Sequence, residues 1–111
     1  MLAATIPAQS AQAAAERSCR AMRTTAQDGV RVRVTFFNVT ATCTRARVVA
    51  RAFLAGPRTL HNPNATRSRQ YFTMSRAPGW RCGTGAGAGT YISAGCRNPA
   101  TQQYVGFDAF K

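Results

Sequence analysis

The sequence predicts an α+β domain in which an antiparallel sheet of about five strands is packed by one main helix and held by two disulfides. Three observations carry that expectation. Within Val30 to Thr40, apolar and polar residues alternate strictly from Val30 to Phe36, an apolar stripe at helical spacing runs from Cys43 to Ala55, and four cysteines stand in only 111 residues.

The strand comes first in the argument. Val30, Val32, Val34 and Phe36 fall on one face, with Arg31, Arg33 and Thr35 on the other, which is the pattern of a half-buried strand. Asp28-Gly29 just before it is a turn signal, so Cys19 to Thr24 is expected as the first arm of a hairpin, although its own alternation is weak. Thr42 then caps a helix over Cys43–Ala55, stopped by Gly56-Pro57. Cys43, Ala46, Val49, Ala50, Phe53 and Leu54 form its apolar stripe, and Arg45, Arg47 and Arg51 lie off it. A helix this short needs the sheet to hold it.

Arg58 to Gln70 reads as a long loop, entered through Pro57 and holding Pro63, two Asn and Arg58, Arg67 and Arg69. Strand-like segments return at Tyr71–Met74, Trp80–Cys82, Thr90–Cys96 and Tyr104–Phe110. In the last of these, Val105, Phe107 and Ala109 alternate with Tyr104, Gly106, Asp108 and Phe110. The Gly83-to-Gly89 run reads as a flexible hairpin connection. A phosphate-binding loop would end in Gly-Lys-Ser/Thr and enter a helix, whereas this run has no Lys and enters a strand. Trp80, the one tryptophan, is expected as a core anchor, with Tyr71, Tyr91 and Tyr104 left as surface aromatics.

The chain has room for one domain, expected over residues 14–111. Residues 1–13 read as the remnant of a signal peptide or a leader, because they are uncharged and contain Ala11-Gln12-Ala13, an A-x-A cleavage pattern. No stretch has the roughly 20 apolar residues of a transmembrane segment. The cysteines are too far apart for a zinc site, which leaves disulfides and hence an oxidising, extracytoplasmic compartment. The favoured pairing is Cys19–Cys43 with Cys82–Cys96: the hairpin returns Cys19 toward the helix start, and the second bond staples the Gly-rich hairpin. Cys43–Cys82, tying helix to sheet, is the competing choice.

Acidic residues number 3 against 15 basic ones, a formal net charge of +12, and every basic residue but Lys111 is Arg. Such an excess draws a protein to an anionic polymer, an envelope component or an acidic protein. It also follows from codon bias in a high-GC genome, which would explain the Ala and Gly content equally well. The candidate anion-binding residues are Arg31 and Arg33 on the strand, Arg45, Arg47 and Arg51 on the helix, and Arg58, Arg67 and Arg69 in the loop.

Catalysis finds little to work with. His61 is the one histidine, and Glu16, Asp28 and Asp108 are scattered, so neither a nucleophile–base pair nor a carboxylate pair is expected. No catalytic residue, metal or cofactor is expected. The composition points to a secreted or envelope-associated binding protein. The alternative is a proteinase-inhibitor-like protein presenting the 58–74 segment to a secreted enzyme.

Laid end to end, the motifs resemble a loosely defined set of small secreted actinobacterial proteins of uncharacterised function. The matching residues are Cys19, the helix start Cys43-Thr-Arg-Ala-Arg-Val-Val-Ala50 (shifted by one from a Cys-x-x-Ala-Arg-x-Val-Ala pattern), Gly79-Trp80-Arg81-Cys82, Cys96 and Val105-Gly106-Phe107. The resemblance spans about residues 19 to 110 and implies export and disulfide bonding without implying an activity. The Arg58–Gln70 segment is longer than that pattern usually carries.

Overall fold

The structure, a computed structural model, describes residues 17–85 and 89–111. The expected leader, residues 1–13, and the middle of the Gly-rich run lie outside the described residues. The strands are β1 (Met22–Thr25), β2 (Arg31–Phe37), β3 (Arg58–His61), β4 (Tyr71–Met74), β5 (Ala77–Gly85), β6 (Ile92–Asn98) and β7 (Gln103–Phe110), and the helix α1 is Cys43–Leu54. All seven strands form one antiparallel sheet in the order β1-β2-β7-β6-β5-β4-β3.

The connectivity follows from where the helix sits. β1 and β2 form a hairpin whose turn is closed at Asp28-Gly29. Gly29 takes φ +85° there, and the Val30 amide donates to Asp28 Oδ1 at 3.0 Å. The chain then leaves the sheet, crosses one face as α1, and re-enters at the far edge as β3. From β3 it returns strand by strand until β7 pairs with β2, Phe36 opposite Phe107 and Val34 opposite Ala109.

α1 begins and ends where capping chemistry dictates. The Thr42 hydroxyl accepts from the Arg45 amide at 3.1 Å, and the Ala55 amide closes the last turn on the Arg51 carbonyl. Gly56 follows because an added Cβ would lie 2.9 Å from the Ala52 carbonyl oxygen. The helix buries Ala46, Val49, Ala50, Ala52, Phe53 and Leu54 against the sheet. Phe53 meets Phe107 at 6.0 Å and Phe72 at 5.4 Å between ring centroids, both edge-on, the arrangement aromatic quadrupoles favour. Val32, Val34, Trp80, Ala94, Val105 and Phe107 supply the sheet's share of this core.

Two disulfides lock the covered side. Cys19–Cys43 ties the N-terminal arm to the first residue of α1, with Cα atoms 5.5 Å apart. Cys82–Cys96 joins directly opposed residues of β5 and β6, with Cα atoms 4.0 Å apart, and both sulfur-bearing residues are fully buried in the core.

The architecture is α+β, but the sheet has seven strands rather than about five. The expected loop Arg58–Gln70 is where the count changes. Its first four residues are β3, paired to β4 with Leu60 opposite Phe72, and Arg67–Arg69 is a turn of 3-10 helix. β3 is a short, mostly exposed edge strand, so burial never forced an apolar alternation that a sequence could show. The Gly-rich run is likewise not all connection, since Gly83 to Gly85 finish β5.

Exposure separates the two disulfides. Under graded thiol reductant, Cys19–Cys43, half-buried at both ends, should open before the fully buried Cys82–Cys96, as read by alkylation and peptide mass mapping. Replacing Cys82 and Cys96 together by Ser should lower unfolding stability by about 3 kcal/mol in denaturant titration. Free thiols in the native protein, or a map showing Cys43–Cys82, would contradict this arrangement.

Candidate anion-binding face

Antiparallel pairing sorts every strand residue to one of two faces, because directly opposed residues point the same way and neighbours alternate. The residues opposed to the core positions above lie under α1. The others form an open face on the far side of the sheet. Arg31 and Arg33 belong to it, and the register sets Thr25 opposite Arg31 and Arg23 opposite Arg33. Arg23, Arg31, Arg33 and Lys111 line a cleft of about 520 Å³ together with Thr24 and Thr25. Like charges placed directly opposite each other repel, so Arg23 and Arg33 sit where a sheet selected for stability alone would not put them.

A second cross-strand pair of the same kind stands at the other end, Arg81 of β5 opposite Arg97 of β6. The Arg81 guanidinium lies 4.8 Å over the Tyr71 ring, and Tyr71 stacks on His61 at 4.7 Å and 9°. His61 Nε2 is 2.8 Å from the Thr73 hydroxyl. The two arginine pairs are separated along β7 by the length from Tyr104 to Phe110, roughly 20 Å at the rise of an antiparallel strand.

Between them the face is flat and almost uncharged. The Phe37 ring lies over Gly106, where an added Cβ would meet Phe37 Cε1 and the Phe37 carbonyl oxygen at 2.7 Å each. The hydroxyl end of Tyr104 lies over Gly95, whose added Cβ would meet the phenol oxygen first and Tyr104 Cζ at 3.1 Å. Gly83 and Gly85, next to them on β5, have nothing above them within 4 Å. Phe37 is 38% exposed. Asp108 stands in this strip and accepts from the Ser93 hydroxyl at 2.6 Å.

The remaining candidates are dispersed. Arg45, Arg47 and Arg51 lie on α1, on the covered side of the sheet, and Arg51 Nη2 reaches Met22 Sδ at 3.7 Å. Arg58 is taken up by the fold. Its Nη1 donates to the Phe53 carbonyl at 2.5 Å, and its guanidinium sits 4.7 Å from the Phe53 ring and 5.4 Å from that of Phe72. Arg67 and Arg69 are exposed at the tip of the β3–β4 hairpin. Of the eight arginines singled out in the sequence, the fold gathers Arg31 and Arg33 and adds Arg23, Arg81, Arg97 and Lys111. A signal for two of these was present: Arg81 lies between Trp80 and Cys82, and Arg97 follows Cys96, so strand alternation turns both away from the core. Trp80 is buried as a core residue, while Tyr71, Tyr91 and Tyr104 are half-buried.

Among the described residues, the two aspartates are engaged by hydroxyl and amide donors. Asp28 accepts from the Tyr91 hydroxyl and from the Val30 amide, and these bonds, the phenol's first, hold its carboxyl below the ordinary value. The same bond pushes the Tyr91 phenol up. The Lys111 ammonium, 5.5 Å over the Tyr91 ring, adds a smaller downward pull on Asp28. Among the described residues, no three His, Cys, Asp or Glu side chains gather as metal ligands, and no helix is long and apolar enough to cross a membrane.

No family model matches the chain, and neither a curated protein nor a solved structure matches it.

Gly106→Ala should destabilise the fold by about 1–3 kcal/mol, because the Phe37 backbone cannot clear the new methyl without parting β2 from β7. Gly83→Ala, with open space above it, should be close to neutral in the same denaturant titration. The Asp28–Tyr91 bond gives a pH dependence of defined sign. Asp28's contribution is complete above the ordinary carboxylate value of about 4 and is lost as pH falls through its lowered folded value. Tyr91's is complete below the ordinary phenol value of about 10 and is lost as pH rises through its raised one. Asp28→Asn removes the carboxylate on which both shifts depend and should flatten both limbs of the Tm-against-pH curve, whereas Tyr91→Phe should remove the alkaline limb and only reduce the acid one, because the Val30 amide still donates to Asp28.

Proposed function

We propose that this chain is a secreted or envelope-associated, non-catalytic binding protein that engages an anionic partner through the open face of its sheet. The observation that carries the reading is the cross-strand pair Arg23–Arg33, with Arg31 and Lys111 around one cleft. Four cations held together on a rigid sheet repel one another, and an anion placed among them relieves that repulsion. The second pair, Arg81–Arg97, extends the basic surface toward an extended partner rather than a single ion. Export is supported by the two disulfides, which persist in oxidising compartments, and by the resemblance of the cysteine and helix pattern to small secreted actinobacterial proteins.

Retention on a sulfated-polysaccharide matrix tests the reading. Elution should move to much lower salt in Arg23→Glu/Arg33→Glu, and should hardly move in Arg45→Glu/Arg47→Glu, which alters the same net charge on the helix side. Retention that salt does not weaken, or equal loss in both variants, would refute binding through this face.

The inhibitor-like alternative draws support from the hairpin tip, which is braced without a cysteine. Asn62 Nδ2 donates to the Arg69 carbonyl at 3.1 Å, and Gln70 Nε2 to the Pro63 and Ala65 carbonyls at 3.1 and 3.0 Å. Against it, Arg67 and Arg69 sit in a 3-10 turn instead of the extended backbone a protease cleft accepts. Stoichiometric inhibition of a trypsin-like protease would favour the alternative, and cleavage after Arg67 or Arg69 would count against it.

A further inference from the structure

The open face segregates its chemistry. Paired arginines occupy the two ends, and a flat strip of glycine and aromatic surface lies between them. A polymer with a charge on every unit along its centreline fits that layout poorly, since the middle of its length would cross the neutral strip and meet Asp108. A polymer whose anions and flat rings lie on opposite sides of its backbone fits it well. The rings can lie over the strip while the anions turn to the arginines.

Two details show that the strip is built to present ring faces. Phe37 lies across Gly106 and the hydroxyl end of Tyr104 reaches over Gly95, each a glycine of the neighbouring strand, so both side chains lie close against the sheet. With a larger residue at either position the aromatic would have to stand away from it. Beside them, Gly83 and Gly85 leave bare backbone on which a planar group can approach the sheet closely. Asp108 keeps one carboxylate oxygen beyond its bond to Ser93, and a carboxylate that repels phosphate is a good acceptor for an amino group on a base edge.

We propose that the open face binds single-stranded nucleic acid, with bases stacked on Phe37 and Tyr104 and phosphates held by the Arg23–Arg33 and Arg81–Arg97 pairs. Basic residues tracking a backbone beside aromatic rings that stack on bases are how sequence-tolerant single-strand binders work. The inference rests on the anionic-partner reading and narrows it to one polymer class.

The test separates base from phosphate. Fluorescence anisotropy is measured with an oligodeoxycytidylate of about 12 nucleotides and with an abasic oligonucleotide carrying the same number of phosphates. The wild-type chain should bind the oligodeoxycytidylate at least tenfold more tightly, by about the worth of one or more stacked bases. Phe37→Leu, which keeps an apolar cover on Gly106 but removes one of the two rings, should narrow the difference between the two affinities about fivefold or more. Arg23→Glu/Arg33→Glu should weaken both and make the salt slope shallower by about 1 to 2. Thermal unfolding identifies a Phe37 variant that fails to fold, and the wild-type comparison of the two oligonucleotides then decides. Equal wild-type affinity for both would overturn the nucleic-acid inference while leaving the anionic reading standing. No binding to either oligonucleotide, together with no retention on the sulfated matrix, would overturn both.

Discussion

A helix of twelve residues has to cover one face of a seven-stranded sheet. It is about 18 Å long, whereas seven strands side by side span roughly 30 Å, so coverage runs out before the edges do. Much of the chain's local chemistry answers that shortfall. Phe53 is placed where it touches both the interior strand β7 and, three strands away, β4, and Arg58 lays its guanidinium over Phe53 and Phe72 just where the helix ends. Both helix ends are tied down as well. Cys19 bonds the first residue, while Gln27 donates its amide to the Leu54 carbonyl and its side chain to that of Gly56.

The same shortage leaves the opposite face without any covering element among the described residues. Glycines and arginines are prominent on it, and of the large apolar groups that stand there Phe37 rests on Gly106, Tyr104 reaches over Gly95 and Phe110 stands opposite Arg33. That arrangement lets the face carry aromatic surface without deep apolar pockets. It also explains why arginine can be abundant here whatever the origin of the excess. An open sheet face accepts long charged side chains at little cost, and codon bias alone would scatter them. The two directly opposed pairs are the part of the pattern that scattering does not readily produce.

Legibility in the sequence tracked burial closely. β2 and α1 could be read because each has one face wholly inside and one outside, so their apolar residues repeat with periods near two and near 3.6. β3 could not: Arg58-Thr-Leu-His61 is an edge strand whose outward and inward positions are both partly wet, and nothing in it had to alternate. Arg23 was hidden for a similar reason, in a strand of four residues with only Met22 fully inside. Arg58 was misread in the opposite direction, because its composition and flanking Pro57 suggest a solvated loop while its neighbours across the fold are two aromatic rings. Phe37 escaped notice although it falls on the arginine side of its strand, since apolar residues are conventionally assigned inward; Phe110, set apart from Val105, Phe107 and Ala109 by the alternation, could be read.

The cross-strand bond between Cys82 and Cys96 has a consequence for assembly. Side chains on a strand alternate faces, so sliding β5 past β6 by one residue would put one sulfur under the helix and the other among the arginines. Oxidation can therefore occur only in alignments that keep both sulfurs on one side and opposite each other. In a sheet with glycines at Gly83, Gly85 and Gly95, side-chain packing alone enforces alignment weakly, and neighbouring registers compete. The thiols act as a proofreader for that pairing: chains that close the bond are committed to the correct alignment, and misaligned ones remain reduced and free to rearrange.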